Sequence, residues 1–137
     1  MGTTIKSYKD LQVWNKAMDL TTMVYDALKT FPPKEEYGLS SQMRRSSVSI
    51  PSNIAEGYGR NSTLDYCRFL QIALGSAYEL ETQVELAHRL NYIDNETTQM
   101  LAAQLSEVGR MLNSMINKIK PDKDKSQNTN NQTDNIE

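Results

Sequence analysis

A long apolar stripe between residues 62 and 91 is the feature that most constrains the fold of this chain. Steps of four and three along a sequence keep side chains on one face of an α-helix. The apolar residues that recur there at such steps are Tyr66, Leu70, Ala73, Ala77, Leu80, Val84 and Ala87. Ser62 and Asp65 have the spacing of a helix cap. The stripe therefore predicts one long amphipathic helix that ends near Leu90-Asn91.

Three further segments show helical periodicity and predict an all-α chain. Their expected bounds are residues 7–30, which Pro32-Pro33 terminate, then a segment that begins between residues 34 and 40 and ends at Gly57 and Gly59, and residues 94–119, which Pro121 follows. Pro51 lies inside the second helix and lacks an amide hydrogen, so the carbonyl of Ser47 loses its usual donor and a kink is predicted. Four helices with short links are expected to form an antiparallel up-down-up-down four-helix bundle.

The length of 137 residues fits one domain, because typical domains have about 100–200 residues. We expect a flexible N-terminus over residues 1–6, the bundle over residues 7–120 and a disordered polar tail over residues 121–137. The tail holds one aliphatic residue, Ile136, among Asn, Gln, Thr, Asp and Lys. Such a segment buries too little apolar surface to offset the entropy that it would lose on ordering.

Charge and composition exclude several classes of protein. Residues 1–120 carry 13 basic and 13 acidic residues, which excludes a histone-like binder that depends on bulk positive charge. One cysteine excludes a disulfide framework within a single chain. Since no apolar run approaches the roughly 20 residues of a membrane span, and the N-terminus lacks a secretory signal, we expect a soluble, cytoplasmic protein without membrane contact.

The patterns that could support catalysis or metal binding are incomplete. Glu85-x-x-His88 has the spacing of di-iron bundle sites, but such a site needs a second Glu-x-x-His, and His88 is the one histidine. Cys67 precedes it by 21 residues on the same predicted helix, about 31 Å by helix rise, so the two cannot act as nucleophile and base. Gly57 and Gly59 are interpreted as helix-terminating glycines. We expect a non-enzymatic protein without catalytic residues, metal, cofactor or small-molecule substrate.

A polar stripe on the second helix is the most informative candidate site. Its residues, which step by three and four, are Gln42, Arg45, Ser49, Asn53, Glu56 and Arg60. One interpretation is a solvated face with a Glu56–Arg60 pair. The other is a hydrogen-bond network, buried within the chain or between subunits, and it is favoured by six serines between residues 40 and 52. Gly75-Ser76 in the third helix agrees with it, because close approach of another helix would explain a mid-helix glycine.

Three segments of the chain resemble a known family of small bacterial four-helix proteins. The segments are residues 8–17, residues 42–45 leading into residues 49–60, and residues 73–83. The family comprises proteins encoded in intervening sequences of bacterial 23S ribosomal RNA genes, often labelled ribosomal-protein-like. The accessory variability protein of diversity-generating retroelements is a more distant relation. The resemblance covers about residues 7–119 and implies an antiparallel four-helix bundle without known catalytic activity that assembles into a ring, in particular a homopentamer.

A small group of arginines is the candidate contact for RNA or another partner. Its members are Arg44, Arg45, Arg60 and Arg68. The retroelement relatives use a basic surface to engage nucleic acid, whereas residues 1–120 of this chain have no net charge. So few positive charges predict weak, salt-sensitive binding of RNA or a ribonucleoprotein. The alternative is a protein–protein assembly scaffold with no nucleic-acid role.

Overall fold

The computed structural model describes residues 4–119, which form four α-helices and no strand. The helices are α1 (Gln12–Ala27), α2 (Leu39–Tyr58), α3 (Thr63–Arg89) and α4 (Asn95–Ile119). Short 3-10 turns cover Tyr8–Asp10, Leu28–Thr30 and Pro33–Glu35. The all-α prediction is confirmed over this range. The predictions for residues 1–3 and for a disordered tail over residues 121–137 lie outside the described residues.

Each helix packs against its neighbours in the chain, and α1 also packs against α4, which closes a four-helix bundle. The hydrogen bonds between α2 and α3 are in antiparallel order, since Ser46 pairs with Glu79 and Ser49 with Ser76. The predicted stripe of α3 faces the core, where all of its members are buried except Tyr66, which is half-buried. None of the described helices combines the length and the apolar character needed to cross a membrane.

The first helix begins later than its capping residues suggest. Ser7 and Asp10 do form a capping box, but the box caps the N-terminus of the short 3-10 turn Tyr8–Asp10. Leu11 then adopts extended backbone angles (φ −73°, ψ 128°), and α1 starts at Gln12. Ser62 behaves as predicted, because its hydroxyl accepts the amide of Asp65 at 3.1 Å at the start of α3.

Pro51 is buried inside α2, which extends on both sides of it. The Thr21 hydroxyl of α1 donates to the Ser47 carbonyl at 2.9 Å. This is the carbonyl that proline deprives of its usual amide donor, so α1 satisfies an acceptor that α2 cannot satisfy itself. The predicted kink stays a prediction.

Hydrogen bonds around Glu35 join two connections at one end of the bundle. The Tyr92 hydroxyl donates to one carboxylate oxygen at 2.8 Å, and the Leu39 amide donates to the other at 3.0 Å. The Leu39 amide first, and the Tyr92 hydroxyl second, hold the pKa of Glu35 below its ordinary value of 4.5. Thr30 adds a bond from its hydroxyl to the Tyr92 carbonyl at 2.7 Å. The connection before α2 is thereby tied to the connection after α3.

Candidate interaction site on α2 and α3

A line of hydrogen-bonded polar residues runs along the contact between α2 and α3, and we call it the polar seam. Its members are Ser46, Ser49 and Asn53 of α2 and Ser76 and Glu79 of α3. The hydroxyls of Ser49 and Ser76 lie 2.8 Å apart, and the Ser46 hydroxyl donates to Glu79 at 3.1 Å. The Asn53 amide donates to the Ser49 hydroxyl at 2.9 Å and to its carbonyl at 2.8 Å. The Ser49–Ser76 and Ser46–Glu79 bonds also require the two helices to lie close together.

Gly57 continues this close contact toward the C-terminus of α2. A Cβ atom at Gly57 would lie 2.7 Å from the Phe69 Cβ and 3.1 Å from Tyr66 Cδ1, so an alanine would not fit without movement. α2 ends at Tyr58, between the two glycines that are predicted to end it, and Gly59 caps it. Gly57 has the further role of allowing the close contact with α3.

The predicted polar stripe divides between the polar seam and the surface. Ser49 and Asn53 are half-buried in the seam, whereas Gln42, Arg45, Glu56 and Arg60 are exposed. Arg60 donates to Glu56 at 3.1 Å across one helical turn, the pair that the solvated-face interpretation requires. Both interpretations therefore describe part of the stripe within the chain. The subunit-interface interpretation stays a prediction.

The four candidate arginines do not form one patch. Arg44 lies near the start of α2, where it donates to the Glu36 carbonyl at 3.0 Å and pairs with the Glu36 carboxylate at 3.1 Å. Arg45 is exposed and makes no ion pair or hydrogen bond with residues 4–119. Arg60 and Arg68 lie together at the connection between α2 and α3.

Arg60 and Arg68 are both close to the ring of Phe69. Their guanidinium carbons lie 4.8 Å and 5.8 Å from the ring centroid, within the range of cation–π contacts. Arg68 is also 3.8 Å from an oxygen of Asp65. Tyr58 and Tyr66 meet edge to face beside them, with centroids 6.2 Å apart. The group offers aromatic surface and guanidinium donors, but Arg60 and Arg68 each already have an acidic partner.

The side chains considered for metal binding and catalysis are engaged elsewhere. His88 Nε2 lies 2.6 Å from Asn95 Oδ1, and Glu85 accepts a hydrogen bond from Arg89 at 2.9 Å. Cys67 is buried and forms no disulfide. Within residues 4–119, no three His, Cys, Asp or Glu side chains gather as a potential metal site.

Two polar α3 residues were not identified from the sequence. Glu79 bonds to Ser46, and Gln83 is buried with its Oε1 lacking a hydrogen-bond partner among the described residues. Ser76, Glu79 and Gln83 step by three and four, a signal that could have identified them as one polar line. Gly75 was expected at a close helix contact, but no described atom of another helix lies within 4 Å of its Cβ position. That expectation is wrong for contacts within the chain.

This chain is similar to one described protein family and to one protein of known structure. A family model described as 23S rRNA-intervening sequence protein matches residues 9–114. A protein of unknown function from the S23 ribosomal protein family of Bacteroides thetaiotaomicron has a crystal structure similar to this chain, with 30% identity and a TM-score of 0.71. The match covers 76% of this chain and 97% of that chain. No curated protein matches the chain.

Proposed function

Because the chain belongs to the 23S rRNA-intervening sequence protein family, we propose that it is a non-enzymatic four-helix bundle that assembles with copies of itself. The family resemblance favours a ring, in particular a homopentamer. A bundle of this kind works through its surfaces. The proposal is therefore supported by the surfaces that the folded chain leaves uncovered.

The observation that carries the proposal is a set of large apolar side chains exposed on α3, which we call the α3 outer face. Its members are Leu64, Ile72, Tyr78 and Leu86, and between 46% and 58% of each is exposed. Scattered exposed apolar residues are ordinary, but several on one helix face are typical of protein interaction sites. A second copy of the chain would remove this surface from water, which favours association.

The exposed members of the polar stripe supply a second surface for assembly. Gln42, Arg45 and Glu56 lie along α2 and Arg60 follows its C-terminal cap, and we call these four residues the α2 ridge. A ring requires two different surfaces of each copy to meet, because a single self-complementary surface joins copies only in pairs. The proposed ring therefore uses the α2 ridge as one of its contacts.

Sedimentation velocity over the micromolar range tests self-assembly. We expect one discrete oligomer with the mass of five copies, and Ile72→Glu is expected to shift it toward smaller species. Met100→Glu is the matched control, since Met100 is a similarly exposed apolar residue on α4. A stable monomer at tens of micromolar would contradict the proposal. Equal effects of the two variants would show that the α3 outer face takes no part in the assembly.

Weak binding of RNA or a ribonucleoprotein is the second candidate function, and the Arg60–Phe69–Arg68 group favours it. Guanidinium groups contact phosphates, and exposed aromatic surface can stack on unpaired bases. The acidic partners of Arg44, Arg60 and Arg68 reduce the net positive charge. We therefore expect weak affinity that falls steeply with salt.

A gel-shift titration with structured RNA at low and moderate salt tests this candidate. Arg60→Ala with Arg68→Ala is expected to weaken binding several-fold. Arg89→Ala is the matched control, since Arg89 forms an exposed pair with Glu85 at the other end of α3. Absence of binding at low salt would remove the RNA role and leave the protein–protein scaffold.

A further inference from the structure

An open cleft of about 650 Å³ lies at the end of the bundle where α1 ends and α4 begins. Its lining comes from the end of α1, the connection after α3 and the first two turns of α4. Clefts that bind small molecules have typical volumes of about 300–1,000 Å³. None of the lining residues belongs to the α3 outer face or to the α2 ridge, so the cleft is separate from both surfaces proposed for assembly.

One part of the lining is apolar. Ala27, Ile93 and Leu101 belong to the buried core and also line the cleft. Met23 is half-buried, and Met100 is 53% exposed. Methionine side chains are flexible and adapt to apolar groups of different shapes. The cleft therefore offers contacts to a molecule with a hydrocarbon stem.

The charged part of the lining is acidic. Asp26 and Asp94 are both exposed there, and none of the lining residues is basic. Lys29 pairs with Asp26 at 3.2 Å, but both side chains are 78% exposed, and such surface pairs contribute little. Asp94 forms no ion pair with residues 4–119. The cleft therefore favours a positively charged ligand.

Hydrogen bonds from Thr97 keep Asp94 ionised at the start of α4. The Thr97 amide donates to Asp94 Oδ1 at 2.8 Å. The side chain of Thr97 first, and its backbone amide second, hold the pKa of Asp94 below its ordinary value of 3.8. An ionised carboxylate has about four acceptor positions on its two oxygens. Asp94 can therefore accept hydrogen bonds from a ligand while it also accepts the amide of Thr97.

Contacts within the chain hold the connection after α3 in place. The Tyr92 amide donates to the Ala87 carbonyl at 2.9 Å, and the Tyr92 ring packs against Phe31 with centroids 5.2 Å apart. Asn91 has a φ of 63°, the left-handed conformation that commonly follows the end of a helix. A wall whose own contacts are already formed loses little conformational freedom when a ligand binds.

From these features we infer that the cleft binds a small organic ammonium ion, which is held there and not converted. Its ammonium group bonds to Asp94, with Asp26 as a second negative charge. Its hydrocarbon stem lies against Met23 and Met100. An ammonium group supplies both the positive charge and the hydrogen-bond donors that these carboxylates lack, whereas an anionic ligand would be repelled.

NMR of the methionine methyl groups tests the site, with octylammonium chloride as the probe. The signals of Met23 and Met100 are expected to shift in a saturable manner. The signals of Met111 and Met115, near the other end of α4, should not shift. Octanol and octanoate have stems of the same length, and each should bind at least about five times more weakly. Equal binding of octanol, or no saturable shift with octylammonium, would overturn the inference.

Asp94→Asn tests the assigned carboxylate. Asparagine caps helices as well as aspartate does, so this variant removes the negative charge and preserves the start of α4. Octylammonium should then bind about five times more weakly, while the binding of octanol should not change.

Asp65→Asn is the matched control, since Asp65 lies in the first turn of α3. It should leave the binding of octylammonium unchanged. Equal weakening by both variants would show an effect of net charge alone and would refute the role of Asp94. The NMR signals report binding whatever the number of copies in the assembly, so a failure here would leave the proposed self-assembly standing.

Discussion

The two sides of the bundle differ in the polar contacts that accompany their buried apolar side chains. Between α2 and α3, the polar seam places hydroxyl, amide and carboxylate groups in partly buried hydrogen bonds. Both α1 and α4 carry large buried aliphatic side chains, such as Leu20 and Leu112, and the Gln104 side chain of α4 donates to the Lys16 carbonyl of α1 at 3.0 Å. The salt bridge there, from Lys16 to Glu107 at 3.3 Å, lies at the rim with both side chains more than one-third exposed.

Because of this difference, the α1–α4 contact acts mainly on the stability of the bundle, whereas the α2–α3 contact sets the register of its two helices. Aliphatic contacts stabilise in proportion to the area that they bury and tolerate small shifts along the helices. Hydrogen bonds between small polar groups form at one relative position only, and a buried group left without a partner is costly. The α1–α4 contact therefore supplies most of its stabilisation through area, whereas the polar seam fixes how α2 and α3 align.

The largest expected effect is in the aliphatic contact. Leu112→Ala should lower the free energy of unfolding by about 2–5 kcal/mol, because it leaves a cavity at a fully buried position. Leu112→Met conserves volume and should cost less than about 1.5 kcal/mol. Urea denaturation measures both. Equal losses for the two variants would show that the position responds to shape alone and not to buried volume.

Gly57→Ala tests the closeness of α2 and α3. Alanine is the better helix former, yet its Cβ would lie 2.7 Å from that of Phe69. We expect a loss of about 1–3 kcal/mol, as for other overpacked sites. Gly109→Ala meets open space and should raise stability by up to about 1 kcal/mol. The same gain at both positions would contradict a close contact at Gly57.

Thr21→Val tests the hydrogen bond that Pro51 makes necessary. Valine lacks the hydroxyl that donates to the Ser47 carbonyl, and the loss should be about 1 kcal/mol. With alanine at position 51 the backbone amide returns, so the same substitution should then cost only a few tenths of a kcal/mol. Thr22→Val on the exposed side of α1 is the control. An unchanged cost in the Pro51→Ala background would refute the assignment.

The smallest expected effects are the coupling energies of polar side-chain pairs. Two double-mutant cycles measure them, one for α2–α3 and one for α1–α4. Alanine substitutions at Ser49 and Ser76 should show a coupling energy of about 0.5–1 kcal/mol that does not change with salt. Alanine substitutions at Lys16 and Glu107 should couple by less than about 0.5 kcal/mol and lose that coupling in concentrated salt. Salt-sensitive coupling in the first pair would contradict its description as a neutral hydrogen bond.

The elements of the fold could be predicted because their signals are local. The stripe of α3 and the Ser62 cap depend on residues within a few turns of one another, and both are confirmed. The Ser7–Asp10 pattern predicted a cap correctly but not that a 3-10 turn would use it. The local sequence thus identifies a cap, but the packing of the following residues decides whether that cap begins an α-helix or a 3-10 turn.

The candidate site was predictable only in part, because it depends on how neighbouring helices dock. Pro51 revealed that the Ser47 carbonyl would lose its donor, but Thr21 lies 26 residues away and becomes its partner only through the α1–α2 register. The six-residue stripe has one helical period, yet only Ser49 and Asn53 lie where α3 covers α2. Helical periodicity shows in which direction a side chain leaves its own helix. It does not show how much of that helix face the neighbouring helix covers.

The shared carboxylate of Glu35 has a consequence for how one end of the molecule opens. Since Tyr92 and the Leu39 amide bond to the same group, fraying of either connection should release the other. Hydrogen exchange at the backbone amides of Leu39 and Tyr92 should then report one opening event with the same opening free energy. Because these bonds lower the pKa of Glu35, the stabilisation that they give is fully present above pH 4.5 and is lost as the pH falls through the folded-state pKa. After correction for the intrinsic exchange rate, which itself falls with pH, acidification should therefore lower the protection of both amides in step.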